Sequence, residues 1–409
     1  MSSGHRLRAL ISTIEAIDGG VPTMTRCISG LLEELGIEPI YAWYAPWSQH
    51  PGLSVPLHAL ASGRRPAGLR QTAYGGHEAH ALGSWLPELE FTHYLPRRAW
   101  RELIASCQLH LSVTGNPMCA LPYARLGLPF LAWVATPWEA DRANRVRNFS
   151  WPRRQLDQRL NGPVLRRLER QVLRSPDGRI MALSQYTADA LARIADRPMD
   201  AVLLMPVDTC TFHPDPAAVV PWRLGFAGRF GDPRKNIDLL LRTTQLLQAR
   251  GEPVELHLAG EKDLELLQPR LHQLGISGQV RCYPPLAPSD LASLLRSLDL
   301  FVIPSHQEGL CIAALEAMAC GAPVVSTRCG GPEQFVVADR TGQLVDAEPA
   351  AMANAIAAIA ADRPRRARLA SGALGWVQDQ ASPAAARATF RSQLRATWPS
   401  LARAMAEQS

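Results

Sequence analysis

The chain has 409 residues, too many for one ordinary hydrophobic core, so two domains are expected. Hydrophobic residues make up 47% and charged residues 20%, a balance that excludes a disordered chain. The net charge of +6 favours an anionic partner, whether nucleotide, phosphorylated lipid, membrane surface or nucleic acid, and does not choose among them.

In chain order, a strand-forming run at residues 7–12 leads into Asp18-Gly19-Gly20-Val21-Pro22 and a helical pattern that ends at Gly36. Pro22 near a helix start and Gly36 just past its end follow the asymmetry of helix termini. Strand, glycine turn and helix together make the opening unit of a doubly wound sheet. Further strands are expected at 109–113, 129–134, 179–182 and 201–205, with helical patterns between several of them, which argues for parallel α/β structure. Between residues 205 and 222, Pro206, Pro214, Pro216 and Pro221 disfavour a continuous helix or central strand, and the segment reads as a linker. A second α/β series follows, with strands at 223–227, 254–259, 279–283, 298–303, 323–326 and 342–345 and helices at 237–250 and 289–297. The expected division is a Rossmann-like first domain at 1–206, a linker at 207–221 and a second Rossmann-like domain at 222–378, which the family resemblance given below marks as the acceptor side and the donor side. Helices at 379–409 are expected to pack back toward the first domain.

Several features have plain explanations. No two of the eight cysteines form a C-x-x-C pair and most sit in apolar runs, which suits free thiols in a reducing compartment. The first twenty residues lack the apolar core of a signal peptide and no stretch approaches a membrane span, so a cytoplasmic location is expected. His77-Glu78-Ala79-His80 is one residue short of H-E-x-x-H, and a satisfied or exposed histidine pair is favoured over zinc. Ser184 reads as a helix N-cap. The arginine-rich stretch at 142–179 reads first as a solvated helix face and second as a peripheral contact with an anionic inner-membrane surface. Trp43, Trp47, His58, Tyr74, Trp85 and Tyr94 suit either core packing or an acceptor site.

The most specific segment is LDLFVIPSHQEGLCIAALEAMACGAPVV at 298–325. A buried strand runs into Pro304-Ser305, Glu308 and Gly309 fall on the turn, and a helix beginning near Ile312 carries Glu316. The eight-residue step puts one carboxylate on the loop and one on the first turns of the helix. Free amides at that helix's N-terminus favour a phosphate. This segment resembles the Glu-x7-Glu motif of glycosyltransferase family 4, the group 1 glycosyltransferases of the GT-B fold, and the likeness extends from about residue 224 to 369. The resemblance implies two Rossmann-like domains facing a central cleft and a retaining, metal-independent transfer from a nucleotide-diphosphate sugar, with no resident cofactor. It implies Arg229 and Lys235 as cations for the diphosphate, Glu308 at the transferred sugar and Glu316 at the ribose. It also implies the amides of Gly309, Leu310, Cys311 and Ile312 beside them, and Gly19 and Gly20 as a glycine loop of the first domain. The expected acceptor is a saccharide, lipid-linked or small-metabolite hydroxyl.

The chain departs from the family at Leu310-Cys311, where Phe-Gly is usual, which narrows the space at the sugar. Ala135-Thr136-Pro137-Trp138 stands where many relatives have a histidine. These departures keep a non-catalytic binding protein as an alternative, with a sugar-nucleotide epimerase or phosphorylase as another. Nucleic-acid binding has no matching motif.

Overall fold

A computed structural model of the chain describes residues 7–15, 19–46, 50–63, 68–140, 150–260 and 264–400. It forms two compact units, one of residues 1–203 with 387–409 and one of 204–386.

In the first unit the described strands are β1 (Arg8–Ser12), β2 (Glu38–Tyr44), β3 (Leu69–Tyr74), β4 (His77–Leu82), β5 (Leu109–Thr114), β6 (Phe130–Val134), β7 (Gly178–Ala182) and β8 (Ala201–Val202). They form one sheet in the order β3-β4-β2-β1-β5-β6-β7-β8. All pairs are parallel except β3 with β4. Every residue of β5 and of β6 is buried, as parallel strands covered on both faces require. β3 ends the sheet and is exposed over its first five residues, with Arg70 and Gln71 keeping this edge polar. The core gathers Trp138, Phe130, Tyr123 and Leu165.

The sequence reading lacked β2, β3 and β4. In β4 the side chains of His77-Glu78-Ala79-His80 alternate between faces, which sets Glu78 and His80 on the same side. Glu78 accepts from His80 Nε2 at 2.7 Å and from Arg8 at 2.6 Å, so its carboxylate closes a strand-to-strand ion pair. No cluster of His, Cys, Asp and Glu suited to a metal occurs among the described residues. Ser184 caps the helix Gln185–Ala195, accepting from the Thr187 amide at 3.2 Å. Of the arginine-rich stretch, residues 141–149 lie outside the described residues, as does Trp47. Arg153, Arg154, Arg159, Arg166, Arg167, Arg170 and Arg174 are exposed. No described helix is long and apolar enough to cross a membrane. The helix Pro383–Thr397 sends Arg387 to Glu34 at 3.6 Å, and its Gln393 accepts from Arg179 at 2.8 Å.

In the second unit six parallel strands, β9 (Arg223–Ala227), β10 (Glu255–Ala259), β11 (Val280–Tyr283), β12 (Leu300–Ile303), β13 (Val324–Thr327) and β14 (Gly342–Val345), run in the order β11-β10-β9-β12-β13-β14. β9 and β12 are sequence-distant neighbours at the point where the order reverses, the topological switch at which α/β sheets bind ligands. Leu224, Leu240, Leu256, Val302 and Ile356 pack the core. Asp299, fully buried, accepts from Arg363 at 2.7 and 2.9 Å and from the Trp222 amide at 2.9 Å, tying the start of β9 to the helix Arg363–Gln380.

Candidate active site

The loops that leave the carboxyl ends of β9 and β12 carry the candidate residues of the second unit. After β9, Asp232 accepts from the Arg234 amide at 3.0 Å and starts a short turn, Pro233–Lys235. The turn stops at Asn236, whose φ of 49° is left-handed; its side-chain amide donates to Pro304 O at 3.1 Å and joins the β9 loop to the β12 loop. The His306 amide donates to Arg234 O at 2.8 Å, a second tie between the same loops.

These ties bring Lys235 to Glu308. The ammonium donates to Oε1 at 2.7 Å and to Oε2 at 2.9 Å, and the Ser305 hydroxyl donates to Oε1 at 2.7 Å. The side chains are 18% and 8% exposed, so the pair is largely withdrawn from water. The Glu308 backbone is pinned as well: its amide donates to Cys329 O at 2.7 Å and its carbonyl accepts from Gly331 N at 2.9 Å. Gly331 must be glycine, because a Cβ there would stand 2.2 Å from Gly309 O.

Past Leu310, which is buried, Cys311 takes a left-handed conformation (φ 66°, ψ 72°) and opens the helix Ile312–Ala319. A side chain bearing a Cβ is disfavoured in that conformation. Burial pushes the Cys311 thiol well above its usual range; the Glu308 carboxylate adds to the rise and Lys235 opposes it. Both groups act electrostatically on this thiol. Glu316, on the second turn, has its carboxyl pushed up to about 7 by burial alone, and no hydrogen bond to it is found among the described residues. Arg229 stands apart from the pair, its side chain 75% exposed and 3.7 Å from Asp232.

In the first unit, Gly19 (φ 116°) precedes the helix Gly20–Glu33, and a Cβ there would meet nothing within 4 Å. The helix thus starts at the second glycine, before Pro22. Asp18 lies outside the described residues. At Ala135-Thr136-Pro137-Trp138, the amide of buried Trp138 donates to Glu169 at 2.7 Å. Burial, more than any other influence, pushes this carboxyl up to about 7.

Residues 218–376 match the family model described as "Glycosyl transferases group 1". That segment is a group 1 glycosyltransferase domain. It contains every candidate residue named in the second unit. A D-inositol 3-phosphate glycosyltransferase of Xylanimonas cellulosilytica is 33% identical over 244 residues, covering 53% of this chain and 57% of that protein. The chain thus spans little more than half of that relative's length. A D-inositol 3-phosphate glycosyltransferase of Arthrobacter sp. is 29% identical over 390 residues, 88% of this chain and 87% of that protein. The solved structure of sucrose-phosphate synthase from Thermosynechococcus elongatus superimposes with a TM-score of 0.71 at 18% identity, covering 97% of this chain and 100% of that one. The fold is GT-B, as the sequence resemblance implied.

The sequence reading gave roles to Lys235 and Glu308 and none to Ser305, Asn236 or Gly331, which hold them in place. One signal for Lys235 was available: of the 43 lysines and arginines, only Lys235 and Lys262 are lysines.

Proposed function

We propose that the protein is a retaining, metal-independent glycosyltransferase whose donor, a nucleoside-diphosphate sugar, is held by the group 1 domain. The observation that carries this is the buried contact of Lys235, from the loop after β9, with Glu308 and Ser305, from the loop that feeds the helix Ile312–Ala319. As the sugar departs, negative charge grows on the bridging phosphate oxygen, and preorganised cations and helix-terminal amides stabilise that charge. Lys235 supplies an ammonium and Arg229 an exposed guanidinium, while the amides at the start of the helix are orphan donors. Glu308, held by Lys235 and Ser305, accepts hydrogen bonds from sugar hydroxyls. Glu316, its carboxyl pushed up to about 7 by burial and so divided between its two protonation states near neutral pH, can donate to or accept from a ribose hydroxyl.

Retention follows a front-face course, in which the leaving phosphate takes the proton of the acceptor hydroxyl as that oxygen bonds to the anomeric carbon. The acceptor we assign is the hydroxyl of a phosphorylated polyol or sugar. The names of the two inositol 3-phosphate glycosyltransferases support it. An epimerase or a non-catalytic binding protein is not favoured by any of these relatives.

Calorimetric titration with UDP, GDP, ADP and dTDP in the presence of EDTA tests the donor site. One nucleotide is expected to bind, and more weakly to Glu316→Ala and Arg229→Ala. Failure of all four against folded protein would refute the donor assignment. Inversion at the anomeric carbon, read by NMR of the product, would refute retention alone.

A further inference from the structure

Four large apolar side chains of the first unit face water: Trp151 is 72% exposed, Leu57 66%, Trp85 42% and Leu160 39%. Glu88 brings three of them to one place. Its carboxylate accepts from the Leu57 amide at 3.0 Å, and its carbonyl accepts at 3.1 Å from the side-chain amide of Asn161, the neighbour of Leu160. Trp85 lies on the same short segment as Glu88 and is bridged to Val55, close to Leu57. Trp151 starts the helical run that carries Leu160, about 14 Å away along its axis.

That run turns its charges outward. The helix Trp151–Leu156 buries none of its residues. A wider π-type turn follows at Asp157–Asn161, burying Asp157 and Asn161 while Arg159 and Leu160 face out. The helix Gly162–Leu173 then packs Leu165, Leu168, Glu169 and Val172 into the core. From residue 150 to 174 all seven arginines are exposed, whereas the two acids, Asp157 and Glu169, are 6% and 1% exposed. The outward charge of the run is therefore of one sign. Carboxylates of other segments meet it at Arg166 and Arg174, with Glu139 and Asp196 each 3.4 Å away; exposed pairs of this kind are weak and yield to a competing anion. Arg97 lies over the Trp85 ring, 5.5 Å from its centroid, and adds a cation beside the apolar side chains.

The sign of the charge calls for an anionic partner, and the apolar side chains decide which one. A nucleic acid would neutralise the arginines and leave Leu57, Trp151 and Leu160 in water. An anionic bilayer accepts both, with guanidinium groups at the headgroup phosphates and tryptophan and leucine at the boundary with the acyl chains. We infer that this face docks the chain on an anionic lipid bilayer, with Trp151 and Leu160 entering the interface and Arg153, Arg154 and Arg159 on the headgroups. All of these residues belong to the first unit, so the docking stands apart from the donor residues of the second.

The test is flotation of the full chain with vesicles of phosphatidylcholine, alone and in equal mixture with phosphatidylglycerol. Quenching of tryptophan fluorescence by brominated acyl chains reads insertion. Binding is expected to the anionic mixture alone, with quenching that falls in Trp151→Ser. Each arginine at such a surface contributes about fivefold, so the combined Arg153→Gln, Arg154→Gln, Arg159→Gln variant should bind about a hundredfold more weakly. Removing the Trp151 ring should cost about tenfold. Both variants should keep the parent's melting temperature and nucleoside-diphosphate affinity, so failure of this inference and failure of the donor assignment are distinguishable. Equal binding to both vesicles, or none, overturns the inference, as does anionic binding that either variant retains in full. A duplex DNA oligonucleotide that outcompetes the anionic vesicles overturns it in favour of nucleic acid.

Discussion

Replacing Lys235 by alanine leaves the Glu308 carboxylate, 8% exposed, with the Ser305 hydroxyl as its remaining side-chain partner. Stranding one member of a buried ion pair costs about 3–5 kcal/mol, and the 18% exposure of Lys235 places this case near the lower end, about 3 kcal/mol. In a unit of about 150–250 residues each kcal/mol moves the melting temperature by about 2–4 °C, so the second unit should melt about 6–12 °C lower. Glu308→Gln keeps the shape and leaves an ammonium on a flexible stem that can turn to water, for a cost nearer 1 kcal/mol. The double variant carries no stranded charge and should be more stable than Lys235→Ala alone. Scanning calorimetry on the four proteins measures this cycle. Lys235→Ala within about 1 kcal/mol of the parent, or a double variant less stable than Lys235→Ala, would refute the argument. Nucleotide titrations on the same proteins separate the two roles. Both variants lacking Lys235 should bind nucleoside diphosphate at least about tenfold more weakly, whereas Glu308→Gln should leave that affinity alone and weaken only the intact sugar nucleotide.

Glu169 contributes a pH dependence of definite sign. Its folded pKa of about 7 lies above the ordinary carboxylate value of 4.5, so the folded state holds the proton more tightly and stability falls as pH rises between those values. Glu169→Gln, which can still accept from the Trp138 amide, should exceed the parent by about 2–3 kcal/mol in urea unfolding at pH 8 and approach it at pH 5; a difference independent of pH would contradict this. At Cys311, with φ at 66°, the glycine variant should be about 1 kcal/mol more stable than the alanine variant by the same assay, because only alanine retains the left-handed strain. Gly331→Ala should force apart the backbone around Gly309, costing about 1–3 kcal/mol and lowering donor affinity at least about tenfold by calorimetry; unchanged affinity would mean the loop absorbs the methyl group.

Much of the second unit was legible because its strands are short, apolar-rich and set off by glycine and proline. Residues 223–227 and 342–345 were placed as β9 and β14 stand, and the other strands moved by one or two residues. The first unit hid three strands for identifiable reasons. β2 contains Pro39, a residue that argues against a strand, yet it occupies an interior position with Pro39 opposite Ala9. β3 exposes five of its six residues and so has no apolar signal. β4 was masked by a histidine pattern that invited a metal reading, where alternation on a strand sends neighbouring side chains to opposite faces. The helix at Gly20 begins before Pro22 because glycine at the start satisfies the turn that the proline then extends.

The candidate site was legible in its charges and not in its supports. Lys235 and Glu308 are 73 residues apart, and nothing in their spacing says that they touch. What joins them is the left-handed turn at Asn236 and the Asn236–Pro304 and Arg234–His306 bonds, which depend on two loops lying beside each other at the β9–β12 reversal. The choice of lysine is informative in a chain that otherwise uses arginine almost throughout. A guanidinium would present a wide planar fork to Glu308, whereas an ammonium is a compact charge whose donors rotate and can be shared between the carboxylate and an arriving phosphate. Lys235 already spends bonds on both oxygens of Glu308, so a donor phosphate must draw the ammonium partly away from them. Diphosphate binding and the freedom of Glu308 to meet a sugar are then coupled through one side chain, and Lys235→Arg should bind nucleotide while transferring sugar poorly.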